Sequence, residues 1–261
     1  MEAAFFDLDK TVIAKASMVA FGRPLYRAGL VSRWLVLRAL WGQLVYLQLG
    51  HDEAQMGRSR AAVLRLTKGW DQAKVSAVVR DALDEVIEPI VYDEALALLR
   101  THRSAGRRVF LLSASPIEVV APLATYLRVD DAIATRARVD DEGRYTGEVD
   151  FSSHGANKVL AMRELATRYG LNLDRSWAYS DSITDLPMLG AVGHPVAVNP
   201  DRELRRVATE REWEILEFAL EVPLRSRVPR PTPGRAAAGA AGIGGIGAAV
   251  VAWWRRRRVR R

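Results

Sequence analysis

The 261-residue chain contains no cysteine. Disulfides, thiolate nucleophiles and cysteine-ligated zinc are therefore excluded. Histidine is scarce: His51, His102, His154 and His194 are scattered without HxxxH or HxH spacing and read as surface or loop residues. Lysine is nearly missing from the second half. The chain has five, at positions 10, 15, 68, 74 and 158, and Lys158 is the only one after Lys74. Acidic residues are absent from Val222 onward, where ten arginines gather. The formal charge of +7, less those ten, leaves −3 for residues 1–221. The basic balance thus belongs to the tail, and no specific nucleic-acid partner is expected for the body. The amino terminus shows neither a basic n-region nor an apolar h-region, so the catalytic part is expected in the cytoplasm.

What is present is an α/β pattern long enough for a sizeable core. Ala3 to Phe6 reads as a short buried strand. Thr11 to about Ile87 is helical, punctuated by Pro24, Gly29, Gly50 and Gly69-Trp70-Asp71. From Pro89 helix and strand alternate, as in a parallel sheet with covering helices. Helices are expected over Tyr92 to His102, Pro116 to Tyr126 and Asn157 to Tyr169. Strands are expected over Arg108 to Leu112, ending at Ser113, and over Ala132 to Val139, Arg144 to Val149, Ser176 to Ser180, Pro195 to Val198 and Trp213 to Phe218.

The chemistry-bearing residues fall at the ends of these strands or at the start of a helix. Asp7-Leu8-Asp9-Lys10-Thr11 places two carboxylates behind the first strand, where open α/β sheets hold their ligands. Three later sites follow in order: Leu111-Leu112-Ser113-Ala114-Ser115, Lys158, and Tyr179-Ser180-Asp181-Ser182-Ile183-Thr184-Asp185. Through these four segments, across roughly residues 3 to 218, the chain resembles the haloacid-dehalogenase-like hydrolases, specifically their phosphoserine-phosphatase-like branch. The resemblance implies a Rossmann-like core over 1–14 and 88–221. It also implies an all-helical cap inserted over 15–87.

It implies too a phosphomonoester hydrolase working through an aspartyl-phosphate. A phosphate monoester repels nucleophiles because its oxygens are negative, so a carboxylate nucleophile needs cations beside it. Asp7 is the expected nucleophile, and Asp9 the acid that protonates the leaving alkoxide and then activates water. Ser113 and Lys158 are expected to hold the phosphoryl oxygens. Lys158 is the only ammonium that the second half of the core can supply. Mg²⁺ suits the hard oxygens of Asp7, the Asp9 carbonyl and Asp181, with Asp185 holding a metal-bound water. The alternative for Asp181 or Asp185 is that it merely caps the helix starting near Thr184. Thr11 is expected to shape the loop at the edge of the substrate site, and Ser115 to touch the substrate.

The substrate side departs from the phosphoserine phosphatases. Their substrate-reading acid follows the first motif, whereas Val12 to Gly50 contains no Asp or Glu. Leu30 to Gly50 is apolar around most of its helical wheel, which fits a cap core helix or an acyl-chain or membrane contact. Residues 222–235 form a Pro/Arg linker, and 236–254 carry nineteen residues without a charge before the arginine-rich end at 255–261. That apolar stretch reads as a C-terminal helix spanning a membrane, as a surface-lying or reentrant segment, or as low complexity. The expected partners are therefore a small or lipid phosphate ester and a membrane reached through the C-terminal segment. A homodimer stays open.

Overall fold

The computed structural model describes residues 1–31 and 66–219. The linker, the apolar stretch at 236–254 and most of Leu30 to Gly50 lie outside the described residues. Among the described residues no helix is long and apolar enough to cross a membrane.

Among the described residues a single sheet of seven strands organises the body. The strands are β1 (Ala3–Phe6), β2 (Arg108–Pro116), β3 (Asp131–Val139), β4 (Tyr145–Phe151), β5 (Trp177–Ser180), β6 (His194–Val198) and β7 (Glu214–Leu216), in the order β4-β3-β2-β1-β5-β6-β7. All pairings are parallel except β3 with β4, the hairpin that Asp141-Glu142-Gly143 predicts. The four residues of β1 are wholly buried, as a central parallel strand covered on both faces requires.

The period-two alternation of the strands divides the core. Ala4, Phe6, Leu111, Tyr179, Val196 and Val198 share one cluster, in which α5 (Asp93–Ser104) and α6 (Ile117–Leu127) are also buried. Ala3, Phe5, Phe110, Leu112, Ala178 and Ala197 share the other, with α7 (Ala156–Tyr169), α8 (Leu186–Leu189) and α9 (Arg202–Glu210). Before these helices come α1 (Ser17–Ala20), α2 (Gly22–Arg27), α3 (Gln72–Asp81) and α4 (Leu83–Ile87), which make the described part of the insert helical.

Four sequence expectations need correction. β2 does not close at Ser113 but runs to Pro116, with its pairing to β3 shifting between those two residues. The register passes from Ser113↔Ala134 to Pro116↔Thr135, so Ala114 and Ser115 form a bulge that is invisible in hydropathy. α9 was not anticipated. Its signal is present in Asp201, whose carboxylate accepts from Leu204 N at 2.8 Å as an N-cap, and in the buried Leu204, Val207 and Ala208 at helical spacing. β7 is shorter than Trp213 to Phe218. His102, expected at the surface, is 3% exposed, because α5 turns it inward to meet the hydroxyl of Tyr179 at 2.8 Å.

Candidate active site

Because β2, β1 and β5 are neighbours, the residues at their carboxyl ends are brought together. Asp7 follows β1 directly, and its N–H still donates to Tyr179 O of β5 at 2.9 Å. The chain then turns sharply. Lys10 takes the left-handed conformation, φ 64°, and Val12 N and Ile13 N both donate to Leu8 O. This tight loop separates the two carboxylates. Asp9 faces Ser17 N at 2.6 Å through Oδ1 and Ser115 Oγ at 2.7 Å through Oδ2. Thr11 is buried at 1% exposure, and its hydroxyl has no hydrogen-bond partner among the described residues.

Ser113, buried in β2, accepts a hydrogen bond from Ser115 N–H at 3.1 Å. With its oxygen held in this way, its hydroxyl proton is free to be donated elsewhere. Lys158 enters from the first turn of α7, behind Gly155, whose φ of 54° starts the helix. Its ammonium lies 2.6 Å from Asp7 Oδ1 and 2.6 Å from Asp185 Oδ2, and all three groups are buried. Asp185 Oδ2 also accepts from Ser180 Oγ at 2.8 Å.

The helical turn after β5 is capped by other groups than the two acids in question. Ser182 caps it, and Asp201 accepts from Ile183 N at 2.8 Å. Asp181, 8% exposed, is tied through its backbone carbonyl to Asp201 N.

The electrostatics reflect excess buried negative charge. Burial raises Asp7 well above the ordinary carboxylate range. Lys158 opposes this, and Asp185, Asp181 and Asp9 add to it. Burial likewise pushes Asp181 up to about 7, against the pull of Lys10 and with help from Asp185. Burial works against the Lys158 ammonium too, but Asp7 and Asp185 outweigh it and hold the charge in place.

Sequence and fold comparisons point the same way. The family model for haloacid dehalogenase-like hydrolases matches residues 4–190. The chain belongs to that family. Over 260 residues, covering 98% of this chain and 94% of the other, the hydrolase is 46% identical to the Streptomyces azureus "inhibition of morphological differentiation protein". It is 46% identical to a "probable phosphatase" of Mycobacterium tuberculosis, covering 96% and 88% of the two chains. It is 38% identical to a phosphoserine phosphatase of that organism, covering 92% and 77%. Among solved structures, a Bordetella pertussis protein of unknown function aligns with a TM-score of 0.70 at 30% identity over 84% of this chain and 98% of that one. A substrate-bound phosphoserine phosphatase shares the fold with a TM-score of 0.57 at 19% identity, over 82% and 92%. The phosphoserine-phosphatase-like branch expected from the motifs is thus borne out.

In this hydrolase, Asp7, Lys158 and Asp185 meet directly, and Asp9 and Ser115 form a second pair joined to Ser113 through Ser115 N–H. Sequence reasoning assigned no role to Ser17 or Ser180. Ser180 lies within a quoted motif, but Ser17 carries no local signal, because its partner Ser115 is 98 residues away.

The donor chemistry fits a divalent cation. The buried carboxylates outnumber the one buried ammonium, and burial, with neighbouring carboxylates adding to it, drives Asp7 and Asp181 upward. Among the described residues no three Asp, Glu or His side chains make a cage by themselves.

Proposed function

We propose that the protein is a Mg²⁺-dependent phosphomonoesterase that passes its phosphoryl group through Asp7. The observation that carries this reading is the buried Asp7–Lys158–Asp185 contact at the carboxyl edge of the sheet, beside Asp9 and Ser113. Asp7 and Asp181, with the Asp9 carbonyl, would hold the ion, which supplies positive charge against the phosphoryl oxygens and keeps Asp7 ionised.

The chain's own residues divide the reaction into two displacements. Asp7 attacks phosphorus as the ester P–O bond breaks, and Asp9 gives its proton to the departing alkoxide, releasing an alcohol. Ser113 donates to a phosphoryl oxygen, and Lys158 places its charge beside the same group. In the second half Asp9 takes a proton from water, whose oxygen bonds phosphorus as the Asp7–phosphorus bond breaks. Inorganic phosphate leaves, and Asp9 is again protonated. Asp185 and Ser180 keep Lys158 aimed at Asp7, and Asp185 would stand behind the ion's own ligands rather than among them.

The substrate is a phosphate monoester of a small or apolar alcohol. The missing acid in Val12 to Gly50 argues against an ammonium-bearing substrate, whereas the phosphatase names of the relatives support the reaction class. The lipid-linked form of the reading, with a membrane anchor at 236–254, rests on the apolar sequence alone. A phosphate-release screen with Mg²⁺ tests both. It pairs phosphoserine with lysophosphatidate, phosphatidylglycerophosphate and small sugar phosphates. A lipid or sugar phosphate turned over well ahead of phosphoserine is the expected result, and preference for phosphoserine would overturn the substrate assignment.

A further inference from the structure

Ser115 was expected to touch the substrate, yet the structure commits both of its donors elsewhere. Its N–H goes to Ser113 Oγ at 3.1 Å and its hydroxyl to Asp9 Oδ2 at 2.7 Å. The other Asp9 oxygen receives Ser17 N–H at 2.6 Å, and Ser17 Oγ donates to Ser115 Oγ at 2.8 Å. Ser17 is fully buried and Ser115 is 7% exposed. We propose that Ser17 and Ser115 are positioning residues that fix the carboxyl of Asp9, so that the general acid is complete only with the start of the inserted segment docked. This rests on the phosphomonoesterase reading.

Three separate stretches meet at this carboxyl: the loop after β1, the bulged end of β2, and the first residue of α1. The residue before α1, Ala16, has no side chain able to cap, so the otherwise orphaned Ser17 N–H is satisfied by Asp9 from across the loop. The bulge in β2 delivers Ser115 to the other oxygen. Two donors on different oxygens fix both the rotamer and the plane of the carboxyl. A hydroxyl suits the Ser115 position because it can donate to a carboxylate and accept from a carboxylic acid, and Asp9 passes through both forms in each turnover. The general acid is thereby coupled to the start of the insert.

Leaving-group dependence separates this role from substrate contact. Expelling an alkoxide requires the acid, whereas expelling p-nitrophenolate needs it far less. The value of kcat/KM is measured with Mg²⁺ for glycerol phosphate and for p-nitrophenyl phosphate. It reports the step that expels the leaving group, and the ratio of the two substrates cancels any loss of folded protein. Ser115→Ala is expected to lower the glycerol phosphate to p-nitrophenyl phosphate ratio by about tenfold, a fraction of what general acids contribute. Ser115→Thr is expected to restore it. Ser17→Pro removes the N–H at a first helical position that tolerates proline, and is expected to lower the ratio further than Ser17→Ala, which keeps the N–H. Equal losses on both substrates, or an unchanged ratio in Ser115→Ala and Ser17→Pro, would overturn the positioning role. Wild-type protein that turns over neither ester would instead overturn the phosphatase reading, and this assignment with it.

Discussion

The ammonium of Lys158 lies 2.6 Å from Asp7 Oδ1, and both groups are buried. One lysine therefore does two jobs: it holds the Asp7 carboxyl in place, and it offsets part of the charge that burial opposes. Lys158→Met is expected to lower kcat/KM for p-nitrophenyl phosphate by about 10²–10³. It should also destabilise the fold at pH 7.5 by about 3 kcal/mol, because Asp7 and Asp185 are left buried without their partner. Asp7 is then more easily protonated in the folded state than in the unfolded one, so part of the lost stability should return as pH falls toward 5. Urea melts at the two pH values check this, and an unchanged midpoint at pH 7.5 would contradict it.

Removal of divalent ions is expected to abolish turnover, and Mg²⁺ to restore it. Burial pushes Asp181 up to about 7 and Asp7 well above its ordinary range, so protons compete with the ion for both carboxylates. The half-saturating Mg²⁺ concentration should therefore rise as pH drops below about 7. Titrating activity against Mg²⁺ between pH 6 and 8 measures it, and a pH-independent midpoint would argue against these two acids as ligands.

His102 provides a test of the fold away from the reaction. Burial, helped by nearby Arg107, depresses its pKa from 6.5 to about 4, so the folded state holds it neutral against Tyr179. A depressed folded pKa contributes stability above the unfolded pKa that is lost as pH falls toward the folded one. This amounts to roughly 2 kcal/mol by pH 5. Asp7 and Asp181 act in the opposite sense when no metal is bound, so the comparison must be between wild type and His102→Gln. The stability difference between them should shrink by that amount from pH 7.5 to pH 5, read from urea melts with Mg²⁺ absent. A constant difference would mean that His102 is not held neutral.

The order of the motifs and the family they resemble made the candidate site legible, because strand ends and a helix start can be read from the sequence and the sheet order places β2, β1 and β5 side by side. Asp7, Ser113, Lys158 and Asp181 could be named on that basis. The second ring of contacts could not. Ser17 meets Ser115 only because β2 bulges between Ser113 and Pro116, and no local pattern encodes a shift in pairing. His102 was misread for a similar reason. A lone polar residue in an amphipathic helix gives no sign that a tyrosine hydroxyl waits on the facing strand. The helix Arg202–Glu210 was legible through its Asp201 cap, but five charged residues in nine obscured its short apolar face.

The central claim is that Asp7 carries the phosphoryl group. Acid quenching during turnover of p-nitrophenyl phosphate, followed by borohydride trapping and peptide mass spectrometry, tests it most directly. The account predicts the reduced product at Asp7, more of it in Asp9→Asn, where hydrolysis of the intermediate is slowed, and none in Asp7→Asn. Steady turnover with no modification at Asp7, or full activity in Asp7→Asn, would contradict it.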